Sequence, residues 1–430
     1  MTASAADPTD RGVVGSSILA GWRLLRLRGL QYALGFVTGL MIARALGPAG
    51  RASYALPLNL AAVTFVAFHA SIELAAARLI ARREVSAVDL GRVAVTAGLV
   101  LGTLGSGVAI AVGLAFRDRL LAGASGTAVV LAALTIPPAI ASQIGTALVI
   151  RRGGIGPYGR LQAAQAILQI TLVLALLLDN RLTPESTLAV NLCVAVVSAL
   201  ATAALLHRSV GPAALRPTRD ARLLKRVLRT GLSLHPSSLA LFLNLRLDLL
   251  LVGVMLDVRR VGLYSLAVTL AELVLVATST MSLAAVENQA ELSAEAARRF
   301  TIEFTRRTTK YATGFVLLVG ALSYPGIPLV YGEQWRGAVL PFVLLCLGTV
   351  ALAIEQPARG LLLRVGRPAA VSLAATIALA VNVGANLALI PVWHLAGAAV
   401  ASIASYWTAA GLMVLLVRRT STGGIALGAA

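Results

Sequence analysis

Apolar runs of about 20 residues recur along the whole length of this 430-residue chain, and this recurrence constrains its fold more than any other feature. An α-helix needs about 20 consecutive apolar residues to cross the hydrocarbon core of a bilayer. The composition agrees, because 58% of the residues are hydrophobic and only 13% are charged, whereas roughly a quarter of the residues of soluble domains are charged. The sequence therefore predicts an all-α integral membrane protein.

Twelve transmembrane helices can be assigned from these runs. They cover residues 29–47, 52–77, 93–115, 127–149, 158–178, 187–206, 231–256, 261–286, 311–331, 338–363, 369–390 and 395–417. The segment before the first span lacks the order of positive charge, apolar core and small-residue cleavage site that marks a signal peptide. The first span is therefore expected to stay as an uncleaved anchor.

Basic residues orient the spans. With the N-terminus placed in the cytoplasm, 28 of the 37 Lys and Arg residues fall in cytoplasmic segments or at span ends beside them, eight fall likewise on the opposite side, and Arg246 alone lies near the middle of a span. Because cytoplasmic loops carry the excess of positive charge, both termini are predicted to be cytoplasmic. The net charge of +19 then requires no nucleic-acid partner. The predominance of Arg over Lys, with abundant Ala, is typical of a GC-rich bacterial genome and predicts a bacterial cytoplasmic membrane protein.

Two segments of the first half recur in the second half. The sequence "LGPAGRASYAL" (46–56) aligns with "LDVRRVGLYSL" (256–266), and "QIGTALVIRRG" (143–153) aligns with "QPARGLLLRVG" (356–366). Because six spans per half is an even number, both halves insert in the same direction, related by an axis along the membrane normal. We therefore expect a parallel repeat of two six-helix bundles.

The basic segment 207–229 lies between the two halves. It predicts an N-terminal six-helix bundle at 1–206, a basic cytoplasmic linker at 207–229 that contacts anionic headgroups, and a C-terminal six-helix bundle at 230–430. A second polar stretch, 287–310, is expected to form a solvated helix that extends span eight. The two prolines of "TIPP" (135–138) predict a kink near the middle of span four.

Five charged side chains fall well inside the predicted spans. Arg246 and Asp248 lie in span seven, Glu73 in span two, Glu272 in span eight and Glu355 in span ten. Charges inside a bilayer are costly and almost always face protein or water. One interpretation is a water-accessible cavity, in which Arg246 binds an anionic group and the carboxylates are candidates to take up a coupling proton or cation. The other is interhelical pairing, with Arg246 against Glu272 and Asp248 against an Asn, Ser or Thr. For Glu73 the pairing interpretation is favoured.

The remaining reactive side chains predict no cofactor and no metal site. The four histidines are His69, His207, His235 and His394. They are scattered along the sequence without the spacing of metal ligands. Cys193 and Cys346 lie in apolar segments, where cysteine serves as a small packing residue.

Three motifs resemble those of the polysaccharide and O-antigen flippases, a family in the superfamily that also holds multidrug exporters and lipid II flippases. In the segment 43–56 the matching residues are Arg44, Gly47, Pro48 and Tyr54. In the segment 246–267 they are Asp248, Gly262, Leu263 and Tyr264. In the segment 361–406 they are Gly366, Arg367, Asn382, Asn386, Ile390, Pro391, Gly397, Ala398 and Ala399. Ala52 stands where the family pattern usually has Gly, and His394 stands near a usual Gly, which affects the expected loop geometry.

This resemblance covers essentially the whole chain and implies a twelve-helix, exporter-like fold. It implies a flippase, rather than an enzyme, that moves a polyprenyl-diphosphate-linked oligosaccharide from the cytoplasmic to the outer leaflet. The implied partners are membrane lipid, that lipid-linked glycan, and glycosyltransferases or a polymerase of the same pathway.

A diphosphate is anionic, so arginines are the candidate substrate-binding residues. Arg246 is the candidate inside the membrane, with Asn244 beside it. Arg26, Arg28 and Arg364 are the candidates at the cytoplasmic mouth. Two simpler explanations compete with these assignments. Positive-inside topology accounts for the three arginines at the mouth, and an interhelical hydrogen bond accounts for the asparagine.

Three other classes of membrane protein agree less well with the sequence. A cation-coupled multidrug exporter or a lipid II flippase of the same superfamily shares the expected fold, but span one lacks the acidic residue of the exporter branch. A major-facilitator transporter is excluded because the segment 77–92 lacks the characteristic turn of that class. A membrane-embedded polysaccharide enzyme needs an outer catalytic loop, and the outer loops here have at most about a dozen residues.

Overall fold

This computed structural model describes residues 8–121, 123–153 and 155–419. It describes the side chains of these residues except those in 8–28, 151–155, 278–291 and 294. All regular secondary structure in these residues is helical. The prediction of an all-α protein is therefore confirmed.

Thirteen α-helices are numbered here in chain order. They are α1 (Pro8–His69), α2 (Ile72–Ala81), α3 (Ala87–Ala115), α4 (Arg117–Leu120), α5 (Gly126–Ala133), α6 (Ile136–Gly153), α7 (Ile155–Leu178), α8 (Pro184–Val210), α9 (Ala221–Met255), α10 (Val258–Glu291), α11 (Ala294–Tyr331), α12 (Val339–Arg364) and α13 (Pro368–Arg418). Two 3₁₀ segments cover Pro212–Leu215 and Glu333–Ala338.

Ten helical segments of the described residues are long and apolar enough to cross a membrane. Two of them, 29–81 and 368–418, each contain two of the twelve predicted spans, so every predicted span falls on helix. Sharp kinks separate the paired spans, at Gly47 (φ 64°, ψ −179°) and at His394 (φ 51°, ψ −124°). Both conformations favour glycine, and His394, which stands near a usual Gly of the family pattern, adopts one of them.

Two further breaks interrupt single spans. Span four is split between α5 and α6 at Leu134 and Thr135, and α6 begins at Ile136, the residue before Pro137, which confirms the predicted kink. Span two is split between α1 and α2 at Ala70 and Ser71, whose φ angles are 51° and 48°. The sequence analysis did not predict this second break, because neither residue is a proline or a glycine.

The prediction that residues 287–310 extend span eight is wrong beyond Glu291. There α10 ends, and a new helix, α11, begins at Ala294 and continues through span nine. Ser293 provides the physical reason, because its side chain accepts a hydrogen bond from the Ala296 backbone N–H at 3.3 Å. Serine at such a position, with Glu295 in the first turn, favours a helix start.

The residues cluster by contact into two compact units. The first, the α9 unit, comprises residues 30–265 and 330–334. Its apolar core includes a stripe on α6 with one buried residue per turn: Ile136, Ile140, Ile144 and Leu148. This i, i+4 spacing places the four side chains on one helix face. Within the unit, α3 packs closely on α6, and α2 packs on both α6 and α9.

The second unit, the α12–α13 unit, comprises the described parts of residues 1–29, 266–329 and 335–430. Its principal packing joins α12 to α13. Buried apolar side chains from both helices form its core: Ala358, Leu361, Leu362, Val371, Ala374, Met413 and Val417. Asn382 and Asn386 are fully buried on α13, one turn apart, and the Asn386 amide donates to Asn382 Oδ1 at 3.0 Å.

The predicted linker, 207–229, is held against α3. Gly211 ends α8, and the following 3₁₀ segment places the buried Ala214 against α3. The Thr218 backbone N–H donates to Thr96 Oγ1 at 2.8 Å, and Thr96 Oγ1 donates to the Thr218 carbonyl at 3.2 Å. The division of the chain into bundles at 1–206 and 230–430 stays a prediction.

Candidate functional site

The two copies of the first repeated segment contact each other inside the α9 unit. A Cβ atom added to Gly262 would lie 1.8 Å from the Pro48 carbonyl oxygen. Only glycine permits so close an approach of two backbones. Beside this contact, the buried Arg51 donates through Nε to Ser265 Oγ at 3.1 Å. Glycine at position 262 of the motif is therefore explained by packing.

Asp248 lies on the buried face of α9, where its side chain is 1% exposed. The Tyr264 hydroxyl, on α10, donates to Asp248 Oδ2 at 2.7 Å, and the Leu249 backbone N–H donates to Oδ1 at 2.8 Å. The sequence analysis expected an Asn, Ser or Thr partner and overlooked Tyr264 in this role. The signal that identifies it is its place in the same family motif as Asp248.

The corresponding tyrosine of the first copy is also hydrogen-bonded. The Asn191 amide of α8 donates to the Tyr54 hydroxyl at 3.1 Å, and the Gln169 amide of α7 donates to Asn191 Oδ1 at 3.0 Å. Both repeat tyrosines thus bond to polar groups on other helices of the unit.

Arg246 and Asp248 lie on different faces of α9, as their spacing predicts. Asn244 and Asp248 are one turn apart and both buried, whereas Arg246 is only half-buried. The Arg246 guanidinium carbon lies 5.9 Å from the centre of the Phe242 ring, within the range of a cation–π contact. The Arg246 backbone carbonyl accepts a hydrogen bond from the Asn59 amide at 2.9 Å. The structure therefore places Asn244 and Asp248 together on the buried face of α9, and Arg246 on another face of the same helix.

Replacing Tyr264 with phenylalanine should destabilise the protein by about 1–3 kcal/mol, because it removes a hydrogen bond to a buried carboxylate. The change is checked by the thermal midpoint of the purified protein in detergent. Tyr311→Phe is the control, because that tyrosine is 58% exposed. An unchanged midpoint in Tyr264→Phe would show that the hydroxyl contributes nothing to the packing of α9 on α10.

The other candidate carboxylates occupy separate places. Glu355 is buried on α12, and its Oε1 lies 3.1 Å from Arg359 Nε, one turn along the helix. Glu272 is partly buried on α10, and its expected pairing with Arg246 stays a prediction. Glu73 pairs with a histidine, since its Oε1 lies 3.3 Å from His69 Nε2.

A cluster of three ionisable side chains surrounds the break between α1 and α2. His69 ends α1, Glu73 lies on α2, and the His235 ring of α9 approaches the His69 ring edge to face at 5.6 Å. Ser71 Oγ, in the break, is 3.1 Å from His235 Nδ1. Sequence reasoning missed this cluster because residues 69 and 235 are far apart in the chain. The available signal was that both histidines fall in predicted spans.

A basic pocket of about 260 Å³ opens between α2 and α9. Its lining residues are Arg78, Leu79, Arg82, Glu84, Arg229, Thr230 and Ser233. The three arginines are exposed, and by the predicted orientation they lie on the cytoplasmic side. Such a concave basic surface suits a phosphate group.

The structure describes the side chain of one of the three arginines predicted at the cytoplasmic mouth. Arg364 is exposed at the end of α12, and its Nη2 donates to the Leu292 carbonyl. The side chains of Arg26 and Arg28 lie outside the described residues. Their place at a mouth therefore stays a prediction.

Solved structures share this fold. An inward-facing multidrug resistance MATE family transporter of the MOP superfamily matches with a TM-score of 0.67 and 18% identity, over 90% of this chain and 94% of that one. The lipid II flippase MurJ, in an inward closed conformation, matches with a TM-score of 0.67 and 13% identity, over 90% of this chain and 87% of that one. A MOP superfamily transporter from Pyrococcus furiosus matches with a TM-score of 0.61 and 18% identity, over 96% of this chain and 98% of that one. These likenesses confirm the exporter-like fold of a multi-pass membrane protein.

Sequence comparison identifies the family. A search of curated proteins finds no significant match. The model of a family described as polysaccharide biosynthesis protein matches residues 79–340, which is more than half of the chain. The matched range includes α9, with Arg246 and Asp248, and the motif residues Gly262 and Tyr264. The chain therefore belongs to the polysaccharide biosynthesis protein family.

Proposed function

We propose that this protein is a flippase that moves a polyprenyl-diphosphate-linked oligosaccharide across the bacterial cytoplasmic membrane by alternating access. Membership of the polysaccharide biosynthesis family supports the substrate class. The exporter-like fold supports transport as the mode of action. In this proposal both termini are cytoplasmic, and the chain carries out no covalent chemistry.

The observation that carries the proposal is the half-buried Arg246 within an apolar helix. An arginine in a membrane span is costly and is kept where it faces protein or a polar ligand. A guanidinium can bind two oxygens of one phosphate group at once, in a fixed planar geometry. Arg246 is therefore assigned to the diphosphate of the substrate during its passage.

Asp248 and Asn244 support this arginine. Asp248 is buried and bonded to Tyr264, so its geometry suits holding α9 against α10 rather than contacting a sugar. Asn244, one turn before it, is buried on the same face. We assign both to positioning, with Arg246 as the residue that contacts the substrate.

The basic pocket is assigned to loading from the cytoplasmic leaflet. Its arginines would attract the anionic headgroup, and Thr230 and Ser233 would donate hydrogen bonds to its oxygens. Arg364, with Arg26 and Arg28, would extend this positive surface. Glycosyltransferases or a polymerase of the same pathway would supply or consume the lipid-linked glycan.

The coupling ion is assigned to one of the intramembrane carboxylates. Glu355 already has a cation, Arg359, one helical turn away. Glu73 has a histidine partner, which changes charge near neutral pH, so Glu73 is the stronger candidate for proton uptake. Glu272 stays a candidate on its position inside span eight.

Deletion of the gene tests the proposed function. We expect lipid-linked oligosaccharide to accumulate in the cytoplasmic leaflet and surface polysaccharide to fall, both restored by the intact gene. The lipid-linked species are measured by extraction and mass spectrometry, with leaflet access measured by an impermeant oxidant. Unchanged lipid-linked glycan and unchanged surface polysaccharide would contradict the proposal. Increased drug sensitivity in the same strain would point to the multidrug exporter instead.

The combined change Arg78→Gln and Arg229→Gln should weaken binding of the substrate headgroup. A basic side chain near anionic lipid contributes about 1 kcal/mol, so each arginine should account for roughly a fivefold loss of affinity. The measurement is binding of a short-chain polyprenyl diphosphate to the purified protein. Arg181→Gln, an exposed arginine on the predicted outer side, is the matched control. If the wild type, the double variant and Arg181→Gln bind the polyprenyl diphosphate with equal affinity, the pocket does not bind the headgroup.

A further inference from the structure

The strongest unassigned feature is the buried cluster at the break between α1 and α2. His69 is 5% exposed, His235 is 7% exposed and Ser71 is completely buried. The helix α9 seals the break, because a Cβ atom on Gly231 would lie 2.4 Å from the Ala70 carbonyl oxygen. Helices α1, α2 and α9 therefore meet at the ionisable side chains of this cluster, all within the α9 unit.

The geometry at His69 requires a proton between this ring and Glu73. His69 Nδ1 lies 2.7 Å from the Val66 carbonyl, which can only accept, so Nδ1 carries a hydrogen. In a neutral imidazole the other nitrogen, Nε2, is then an acceptor. Glu73 Oε1 lies 3.3 Å from Nε2, and an ionised carboxylate also only accepts. Two facing acceptors repel, so one additional proton must reside on Nε2 or on the carboxyl group.

His235 offers a second acceptor for the same proton in the tautomer whose Nδ1–H donates to Ser71 Oγ. Its Nδ1 is engaged with Ser71, and the backbone of Ala67 also interacts with this ring. Its Nε2 is buried without a well-aligned hydrogen bond in the described part of the chain, and so is Glu73 Oε2. Because the two rings are in contact, a charge on one disfavours a charge on the other. Charge repulsion therefore favours one protonated ring at a time in this cluster.

Few other charges face this proton. The electrostatic partners of His235 are His69 and Glu73, on α1 and α2. The helix α6, which also packs on α2, has no titratable side chain between Ile136 and Ile150. The next charges on α2 and α9 are the arginines of the basic pocket, nearer the ends of both helices.

We propose that His69, Glu73 and His235 form the site at which this protein takes up its coupling proton, an inference that rests on the proposed transport function. The incoming proton leaves a hydronium ion of the aqueous phase and forms an N–H bond with an imidazole nitrogen, and no bond between two heavy atoms forms or breaks. With the proton between His69 and Glu73, the end of α1 and α2 attract each other. With the proton on His235, the attraction joins α2 to α9. The position of the proton thereby determines whether α1 or α9 is attracted to α2 at the break.

Histidine-selective ¹⁵N NMR of the full-length protein in lipid nanodiscs tests the site without any substrate. The chain has only four histidines, so each resonance can be assigned by substitution. We expect the His69 and His235 resonances to titrate together as a coupled pair. In Glu73→Gln, His69 should become the neutral form with hydrogen on Nδ1, and the coupling should be lost. Independent titration of the two rings, unchanged by Glu73→Gln, would overturn the proposal.

Proton-driven flipping in proteoliposomes supplies the second readout. His235→Gln should lose most of the rate increase that an imposed pH gradient produces, while exchange without a gradient continues. His207→Gln is the matched control, since that histidine is exposed at the end of α8. If the wild-type protein moves lipid-linked glycan and His235→Gln responds to the gradient as the wild type does, the site is not the coupling site. If no glycan moves at all, the proposed function fails, and the NMR titration still decides whether the proton site exists.

Discussion

Replacing Arg246 with alanine is expected to lower the rate of glycan flipping by about 10- to 100-fold, with normal amounts of protein in the membrane. A hydrogen bond to a charged group contributes about 1.5–3 kcal/mol, and each 1.4 kcal/mol corresponds to tenfold. The loss follows from removing the arginine that the sequence places near the middle of a predicted span. The measurement is transport of lipid-linked oligosaccharide in proteoliposomes, together with complementation of the deletion strain.

Two matched variants separate the role of Arg246 in binding from a role in packing. Arg246→Lys keeps the charge but loses the planar two-oxygen contact, so its rate should lie between those of the wild type and alanine variant. Phe242→Leu removes the ring near the guanidinium but leaves the arginine, and its rate should fall by less than about fivefold. A fall in membrane protein that parallels the fall in activity for Arg246→Ala would instead assign Arg246 to interhelical pairing.

Replacing Gly262 with alanine is expected to prevent stable folding. The new methyl group would lie 1.8 Å from the Pro48 carbonyl oxygen, and the backbone carrying that oxygen cannot move aside without shifting the kink at Gly47. Overpacking of this kind costs about 3 kcal/mol or more when neither partner can yield. The loss should appear as a reduced monodisperse fraction on size-exclusion chromatography and a lowered thermal midpoint.

Gly39→Ala is the control for this change, because a Cβ atom there meets nothing within 4 Å. Alanine is a better helix former than glycine, so this variant should be as stable as the wild type or slightly more stable. If the Gly262→Ala protein has the same thermal midpoint as the Gly39→Ala protein, the close contact between the two repeated segments is contradicted. Pro48→Ala leaves the carbonyl oxygen in place and should not rescue Gly262→Ala.

The spans were predictable because a bilayer imposes one length and one polarity on every crossing helix. All twelve predicted spans lie on helix, and the kink before Pro137 follows from the missing N–H of proline. The start of α11 at Ala294 was missed because two competing signals overlap there. Mixed charge over 287–310 favours one continuous solvated helix, whereas the serine cap at Ser293 begins a new one.

The candidate site was only partly predictable. Asp248 could be found because a carboxylate in an apolar run is conspicuous, and its bond to Tyr264 lies within one motif. The pairing of His69 and Glu73 with His235 depends on the break at Ala70 and Ser71, where ordinary residues adopt positive φ. Tertiary contacts with α9 stabilise that conformation, and the local conformational preferences of Ala70 and Ser71 do not predict it. The substrate roles of Arg26, Arg28 and Arg364 stay predictions.

During synthesis of the chain, the break between α1 and α2 is made long before α9, the helix whose Gly231 seals it. The chain must be extended from Ala81, the end of α2, to Met255, the end of α9, before both sides of the break are complete. At about 5–20 residues per second, that interval is on the order of 10 to 35 s. During this time the nascent protein holds two ionisable residues, His69 and Glu73, in the bilayer without the helix that later covers them. We therefore expect contact with an insertase or chaperone at the second span to persist well after that span has left the ribosome.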